Sequence, residues 1–212
     1  MQAFAVAAAG SKGIVVREQG NVATFGKDSG HGELGNSKGT APFPLPADNP
    51  VQDVCMGAEH TCFLLEDGSV WCCGSNAVGQ CGAPPSDVDC ELFQVELPQN
   101  DATAVGCGEH HTVVLCATGD VYTFGNNQVG QLGRNKTDTP GKVGIKRATS
   151  ISCGQNHTLI VESDAGSVFG FGDNSSGQLG HSGDAAVGHP VQLYASCSVQ
   201  KCGAEGNMTW AA

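Results

Sequence analysis

Short apolar runs separated by glycine-bearing polar turns recur along the chain, and no segment keeps a helical period for a useful length. Val113-Val114-Leu115, Leu159-Ile160-Val161 and Cys62-Phe63-Leu64-Leu65 each read as a strand. A turn follows with Gly119, Gly166 or Gly68, and with Gly20 in a weaker copy, offering the positive φ that tight hairpins use. The returning strand starts at Val22, Val70, Val121 or Val168 and continues with Ala23, Trp71, Tyr122 or Phe169. It then brings Phe25, Cys73, Phe124 or Phe171 up against a glycine. These pairs of β-rich segments predict hairpins, with the valines, Trp71 and the residues before the glycine packed inside.

The hairpins belong to an internal repeat. From Gly108 the chain reads GEHHTVVLCATGDVYTFGNNQVGQLG, and closely similar copies start at Gly57 and Gly154. A weaker copy starts at Gly10, and a fifth at Gly203 stops after ten residues. Each full copy closes on a block of the form G-x-N-x-x-G-Q-x-G, where Asn side chains cap local turns and glycines let backbones approach closely. Pro-bearing linkers such as Gly39 to Pro50 have room for further short strands. Four strands in about 45 to 50 residues make one propeller blade. The expected fold is therefore all-β, a single β-propeller domain over 1–212. Its four-stranded blades number about four and a third, with repeats over 3–35, 51–82, 101–133, 147–180 and, incomplete, 195–212.

Three copies share a G-x-x-H-T start, with leading glycines Gly57, Gly108 and Gly154, histidines His60, His111 and His157, and closing glycines Gly82, Gly133 and Gly180. A cysteine precedes the leading glycine in copies three to five (Cys107, Cys153, Cys202), where copy two has Met56. This pattern resembles the repeat of the regulator of chromosome condensation family. The resemblance implies a seven-bladed propeller of which this chain would be part; a smaller ring, or two chains combining, are the alternatives. It also implies one of three roles. The commonest is a non-enzymatic protein-binding scaffold. The alternative is guanine-nucleotide exchange on a Ran-like small GTPase, which in the family uses a propeller face and a protruding wedge that no segment here matches. A plant ultraviolet-B photoreceptor of the same fold uses clustered tryptophans, whereas this chain has only Trp71 and Trp210. Copy one departs from the pattern, with Gly13 for the histidine, Glu33 for the glutamine, Ala23 for the aromatic and one extra residue before Gly32. Copy five has Gly206 for the histidine. Open blade edges at such ends are expected to favour self-association.

Charge narrows the partner. The formal net charge is −11, and between Thr40 and Gly133 twelve acidic residues occur without one Lys or Arg. Arg134, Lys136, Lys142, Lys146 and Arg147 then follow together. An acidic chain with one short basic loop is a poor candidate for direct nucleic-acid binding; solubility is the simpler account of the acid excess, and a docking role would call for a protein partner basic at the contact. No apolar stretch approaches the roughly 20 residues of a membrane helix. Ala3 to Ala9 lacks the flanks of a signal peptide, so an intracellular, reducing location is expected. Of the eleven cysteines, the several that recur at one repeat position are expected to serve as small buried hydrophobes.

Candidate chemistry is thin. The three motif histidines occupy equivalent places in successive blades rather than converging on one pocket, and each is expected to bond backbone within its own blade. Cys55, His60, Cys62, Cys72, Cys73 and Cys81 match no zinc spacing. Gly35 to Gly39 fits G-x-S-x-G and Gly30 to Gly35 fits G-x-G-x-x-G, yet neither opens a helix. His31, His110, His181 and His189 lie off the repeated position and read as surface residues. No catalytic residue, cofactor or metal is expected.

Overall fold

The strands form because apolar runs too short for a helix are cut by glycines that reverse the chain within three residues. In the second repeat Gly68 N–H donates to Leu65 O and Leu65 N–H to Ser69 O, and Gly68 has φ +78°. This is a turn closed by a left-handed glycine, which fixes the register Leu64 opposite Val70. The third repeat repeats it with Gly119, Cys116 and Asp120.

The computed structural model describes residues 3–17, 21–35, 43–135, 139–164, 166–180, 183, 185–194, 202–205 and 208–211. Among them there is no helix. A three-stranded sheet comprises β1 (Ala3–Ala9), β2 (Lys12–Arg17) and β3 (Val22–Phe25). Three four-stranded antiparallel sheets follow. The first is β4 (Val51–Met56), β5 (His60–Leu65), β6 (Val70–Asn76) and β7 (Ser86–Gln94). The next is β8 (Ala102–Cys107), β9 (His111–Cys116), β10 (Val121–Gly125) and the short β11 (Gly141–Lys142). The last is β12 (Ala148–Cys153), β13 (His157–Glu162), β14 (Val168–Asp173) and β15 (Ala186–Tyr194). A two-stranded sheet, β16 (Cys202–Glu205) and β17 (Met208–Ala211), closes the chain. Each sheet keeps its strands in sequence order, as propeller blades do.

The first strands pack in series, β1 on β4, β4 on β8, β8 on β12 and β12 on β16, and so line the inner side of the arc. The core is divided among the seams between blades. Ile14, Val16 and Leu34 of the first blade meet Val54, Phe63 and Leu65 of the second. Cys62, Leu64 and Val70 meet Val105, Val114 and Phe124 of the third. Val113, Leu115 and Val121 meet Ile160 and Phe171 of the fourth. All six residues of β5 are buried, and alternate side chains from Cys62 to Leu65 enter two different seams, which is why those four form a continuous apolar run.

Two expectations change here. Phe124 and Phe171 are fully buried, yet Phe25 at the same repeat position is 54 % exposed. That position faces the preceding blade, and no sheet covers this side of the first one among the described residues. The cysteines are also not all simple hydrophobes. Cys62 and Cys72 sit opposite each other on β5 and β6, Cα atoms 4.2 Å apart, and form a disulfide.

Candidate interaction surface and the seams that hold it

The repeat motif builds a side-chain bridge between blades. Thr112 Oγ1 donates to Gln80 O at 2.9 Å, and the hydroxyl's proton is thereby used. His60 Nε2, 2.9 Å from the same oxygen, must then donate, which leaves Nδ1 as the bare nitrogen. His111 and Thr158 do the same one seam on, at 3.0 Å, with Thr158 donating to Gln131 O. The expected backbone partner within the blade is thus replaced by a threonine of the next blade. His60, His111 and His157 have no exposed surface. Burial is the main reason that the His111 pKa falls to about 3, with the neighbouring His60, His157 and His110 adding to it.

Two glycine positions make this bridge possible. A Cβ on Gly57 would strike the His60 ring, and one on Gly108 the His111 ring. At the closing position, a Cβ on Gly82 would meet Val95 Cγ1 at 2.8 Å, and one on Gly133 would meet Phe171 Cδ2 at 2.9 Å. These closing glycines have φ +89° and +64°. Gly154 N–H donates to His157 O as its counterparts do to theirs, and Gly180 has φ +69°. In the closing blocks Asn76 Oδ1 accepts from Cys81 N–H and Asn127 Oδ1 from Leu132 N–H, both at 3.0 Å. Gly30 to Gly35 is the first blade's version, wrapped around Asp28, whose carboxylate accepts from Gly30, Gly32 and Leu34 N–H.

The first blade lacks the histidine and uses a charge pair. Lys12 Nζ passes over Gly13 to Glu33 Oε1 at 2.7 Å and Ser29 Oγ at 2.8 Å, and donates to Ala58 O of the second blade. Burial works to raise the Glu33 pKa, but the Lys12 ammonium and the Ser29 N–H outweigh it and hold it at about 2.

On these seams rest two loop-bearing rims. Loops between first and second strands are tied blade to blade by Ala58 N–H to Glu109 O and Glu109 N–H to Gln155 O. They border an inner cleft of about 420 Å³ lined by Ala8, Met56, Cys107, Glu109, Cys153 and Gln155. A second cleft of about 450 Å³ lies between the first closing block and β7, with Phe43, Val88 and Leu92 beside His31, Asp89 and Glu91. His31 Nδ1 lies 2.7 Å from Asp89 and its Nε2 3.8 Å from Glu59. The hydrogen bond to Asp89 is the main cause of a raised His31 pKa, opposed by slight burial and aided by the Asp89, Glu59 and Glu33 charges. Asp87, Val88, Asp89 and Glu91 are exposed along β7, Val88 at 75 %.

Three residues of the basic cluster are engaged within the fold. Arg134 donates to Thr123 O and Thr139 O, Lys142 pairs with Asp120 at 2.6 Å, and Arg147 with Asp164 at 2.6 Å. Lys136, His181 and Asn36 to Thr40 lie outside the described residues, as do the side chains of Cys202 and Trp210. Of the cysteines and His60 weighed for zinc, Cys55 and Cys62 converge, and they do so with Cys107 rather than with Cys73 or Cys81. Among the described residues no helix is long and apolar enough to cross a membrane.

Blades packed face to face and joined by a repeated histidine–threonine bridge define a β-propeller built from sequence repeats. The profile of the regulator of chromosome condensation (RCC1) repeat matches residues 67–115, 118–161 and 165–208, and the chain belongs to this family. A second profile of the same repeat matches 51–80, 102–131 and 148–178. The X-linked retinitis pigmentosa GTPase regulator homolog of Caenorhabditis elegans is 32% identical over 146 residues, 59% of this chain and 10% of that protein. The human probable E3 ubiquitin-protein ligase HERC3 is 31% identical over 171 residues, 72% of this chain and 16% of that protein. The chain therefore spans a small part of these curated relatives. Human WBSCR16 superposes with a TM-score of 0.84 at 22% identity, over 95% of this chain and 57% of its own. Prp20p of Saccharomyces cerevisiae, solved in a study of its binding to Gsp1p and histones, gives 0.77 at 22%, over 94% and 52%.

Proposed function

We propose that this chain is a protein-interaction module, part of a seven-bladed propeller, that receives a basic segment of its partner along β7. The observation that carries this reading is the exposed Val88 set among Asp87, Asp89 and Glu91, directly above the cleft floored by Phe43 and Leu92. β7 is the last strand of its sheet, so its outer edge offers backbone groups for strand addition. The apolar floor suits the methylene stems of Lys or Arg, whose charged heads then reach the carboxylates. The module works by binding alone and takes no catalytic residue or cofactor. Prp20p, whose described binding is to Gsp1p and histones, supports a protein ligand for this fold.

The test is fluorescence anisotropy with a labelled Lys/Arg-rich peptide at low and at physiological salt. Binding should weaken as salt rises, because screening acts on exposed charges. Asp87→Asn with Glu91→Gln should weaken it by about two- to fivefold, the scale of rim-exposed pairs. Salt-independent binding, or no effect of the double variant, overturns the reading. Nucleotide release from a panel of small GTPases should run at the uncatalysed rate, whereas clear acceleration would favour the exchange-factor alternative.

A further inference from the structure

Cys55 Sγ of β4 and Cys107 Sγ of β8 lie 2.6 Å apart, across the seam between the second and third blades. Cys62 Sγ lies within 4.8 Å of both. The repeat explains the meeting. The residue before the motif cysteine of the third blade points at the next blade, since a Cβ on Gly106 would come 3.0 Å from Cys153 Sγ. In the second blade that residue is Cys55, which therefore faces Cys107. The separation is far nearer the disulfide length of about 2.05 Å than the spacing of about 3.8 Å between two thiolates on one tetrahedral zinc. The arrangement suits a sulfur–sulfur bond and not a shared ion.

We infer that Cys55 and Cys107 form an inter-blade disulfide by exchange with Cys62–Cys72, so that one cross-link moves between two positions. In the first step the Cys107 thiolate attacks Cys62 Sγ. The Cys107–Cys62 bond forms, the Cys62–Cys72 bond breaks, and its electron pair leaves on Cys72. In the second step Cys55 attacks Cys107 Sγ, forming Cys55–Cys107 and releasing Cys62 as a thiolate. The Cys55 proton and one from water cap the two released sulfurs. Two thiols are oxidised and one disulfide is reduced, so no outside oxidant enters. Burial opposes the Cys107 thiolate, but the Cys55 hydrogen bond, with His60 and Thr112 beside it, draws its pKa below the ordinary thiol value. Burial raises that of Cys55, as do the adjacent Cys107, Cys153 and Asp53. Cys107 also lines the inner cleft, which gives a small thiol access to the relay. The bond at Cys62–Cys72 spans 10 residues, while Cys55–Cys107 spans 52 and joins two blades. The second position closes the longer loop and so restricts the unfolded chain more.

The experiment equilibrates the whole chain with oxidised glutathione, removes the glutathione, and follows exchange by acid quenching, alkylation and digestion after Glu. Cleavage at Glu33, Glu59, Glu66, Glu91, Glu96 and Glu109 puts Cys55, Cys62, Cys72 and Cys107 on four separate peptides. Mass spectrometry should find the Cys55 and Cys107 peptides linked as the Cys62–Cys72 link declines, their sum constant. The rate should rise from pH 5 to pH 7, following the Cys107 thiolate fraction. Cys107→Ser should abolish the new link while keeping Cys62–Cys72, and Cys116→Ser should leave the exchange unchanged. A Cys62–Cys72 link that never redistributes overturns the inference. So does a Cys55–Cys107 link that appears without loss of Cys62–Cys72, or no link at all after oxidised glutathione.

Discussion

His60 Nε2 donates to Thr112 Oγ1 at 2.9 Å, and the bond joins two blades rather than two strands of one sheet. Thr112 in turn donates to Gln80 O, so three motif residues far apart in sequence close one bridge. Thr112→Val removes the hydroxyl and leaves the His60 N–H and the Gln80 carbonyl buried without partners. The expected cost is about 1 to 3 kcal/mol of stability, and Thr112→Ser should recover most of it. Urea unfolding of the three chains measures this, and an unchanged midpoint for Thr112→Val would count against the bridge.

The same bridge makes stability depend on acid. His111 titrates at about 3 in the fold against 6.5 ordinarily, because burial and the nearby His60, His157 and His110 disfavour its charge. A group with a depressed folded pKa stabilises fully above its unfolded value and loses that contribution as pH falls. For His111 the loss begins near pH 6.5 and continues toward 3, at about 1.4 kcal/mol per pH unit for one proton. Between pH 6.5 and 5, His111→Gln should therefore show a shallower fall in stability than the parent, although it starts lower. Parallel curves would mean that His111 is not held neutral.

The hairpins, the blade period and the motif histidines were legible because each rests on local pattern: apolar runs, turn glycines and equal spacing. What joins blades was less so. The partner of His60 lies 52 residues away, and only the recurrence of H-T together with the closing G-Q in three copies hints at it. Glu33 for glutamine and Gly13 for histidine could be read as decay, yet both changes fall on one site, where Lys12 next to Gly13 pairs with Glu33. Cys55 has no counterpart in other copies, so periodicity could not place it against Cys107. The candidate surface on β7 was visible as acidic charge, but the exposure of Val88 depends on how the outer strand is laid down.

Phe25 and Phe124 occupy one repeat position with different neighbours. Phe124 is fully buried against Cys62, Leu64 and Val95 of the preceding blade, while Phe25 is 54 % exposed. Phe124→Ala should cost about 3 to 5 kcal/mol, and Phe25→Ala should stay within about 0.5 kcal/mol, the range of ordinary surface changes. Chemical denaturation of both variants checks this at equal protein concentration. An equal loss in the two would show that the first blade is covered in solution, by a second copy if the loss grows with concentration.

The last prediction concerns Lys12 and Glu33. Their side chains are 8% and 0% exposed and meet at 2.7 Å. Lys12→Met leaves the Glu33 carboxylate buried without its cation, which should cost about 3 to 5 kcal/mol. Glu33→Gln leaves the ammonium with Ser29 Oγ and Ala58 O, so its loss should be smaller. Combining the two removes both charges and restores the glutamine that the other blades carry, so the double variant should be more stable than Lys12→Met alone. Acid separates the pair from mere packing. Glu33 titrates at about 2 against 4.5 ordinarily, so its contribution is complete above pH 4.5 and disappears as pH falls toward 2. The parent should lose stability across that window and the double variant should lose less. Additive losses in the two single variants, with equal acid slopes in parent and double, would mean that the charges do not interact and that the first blade is held by its apolar contacts alone.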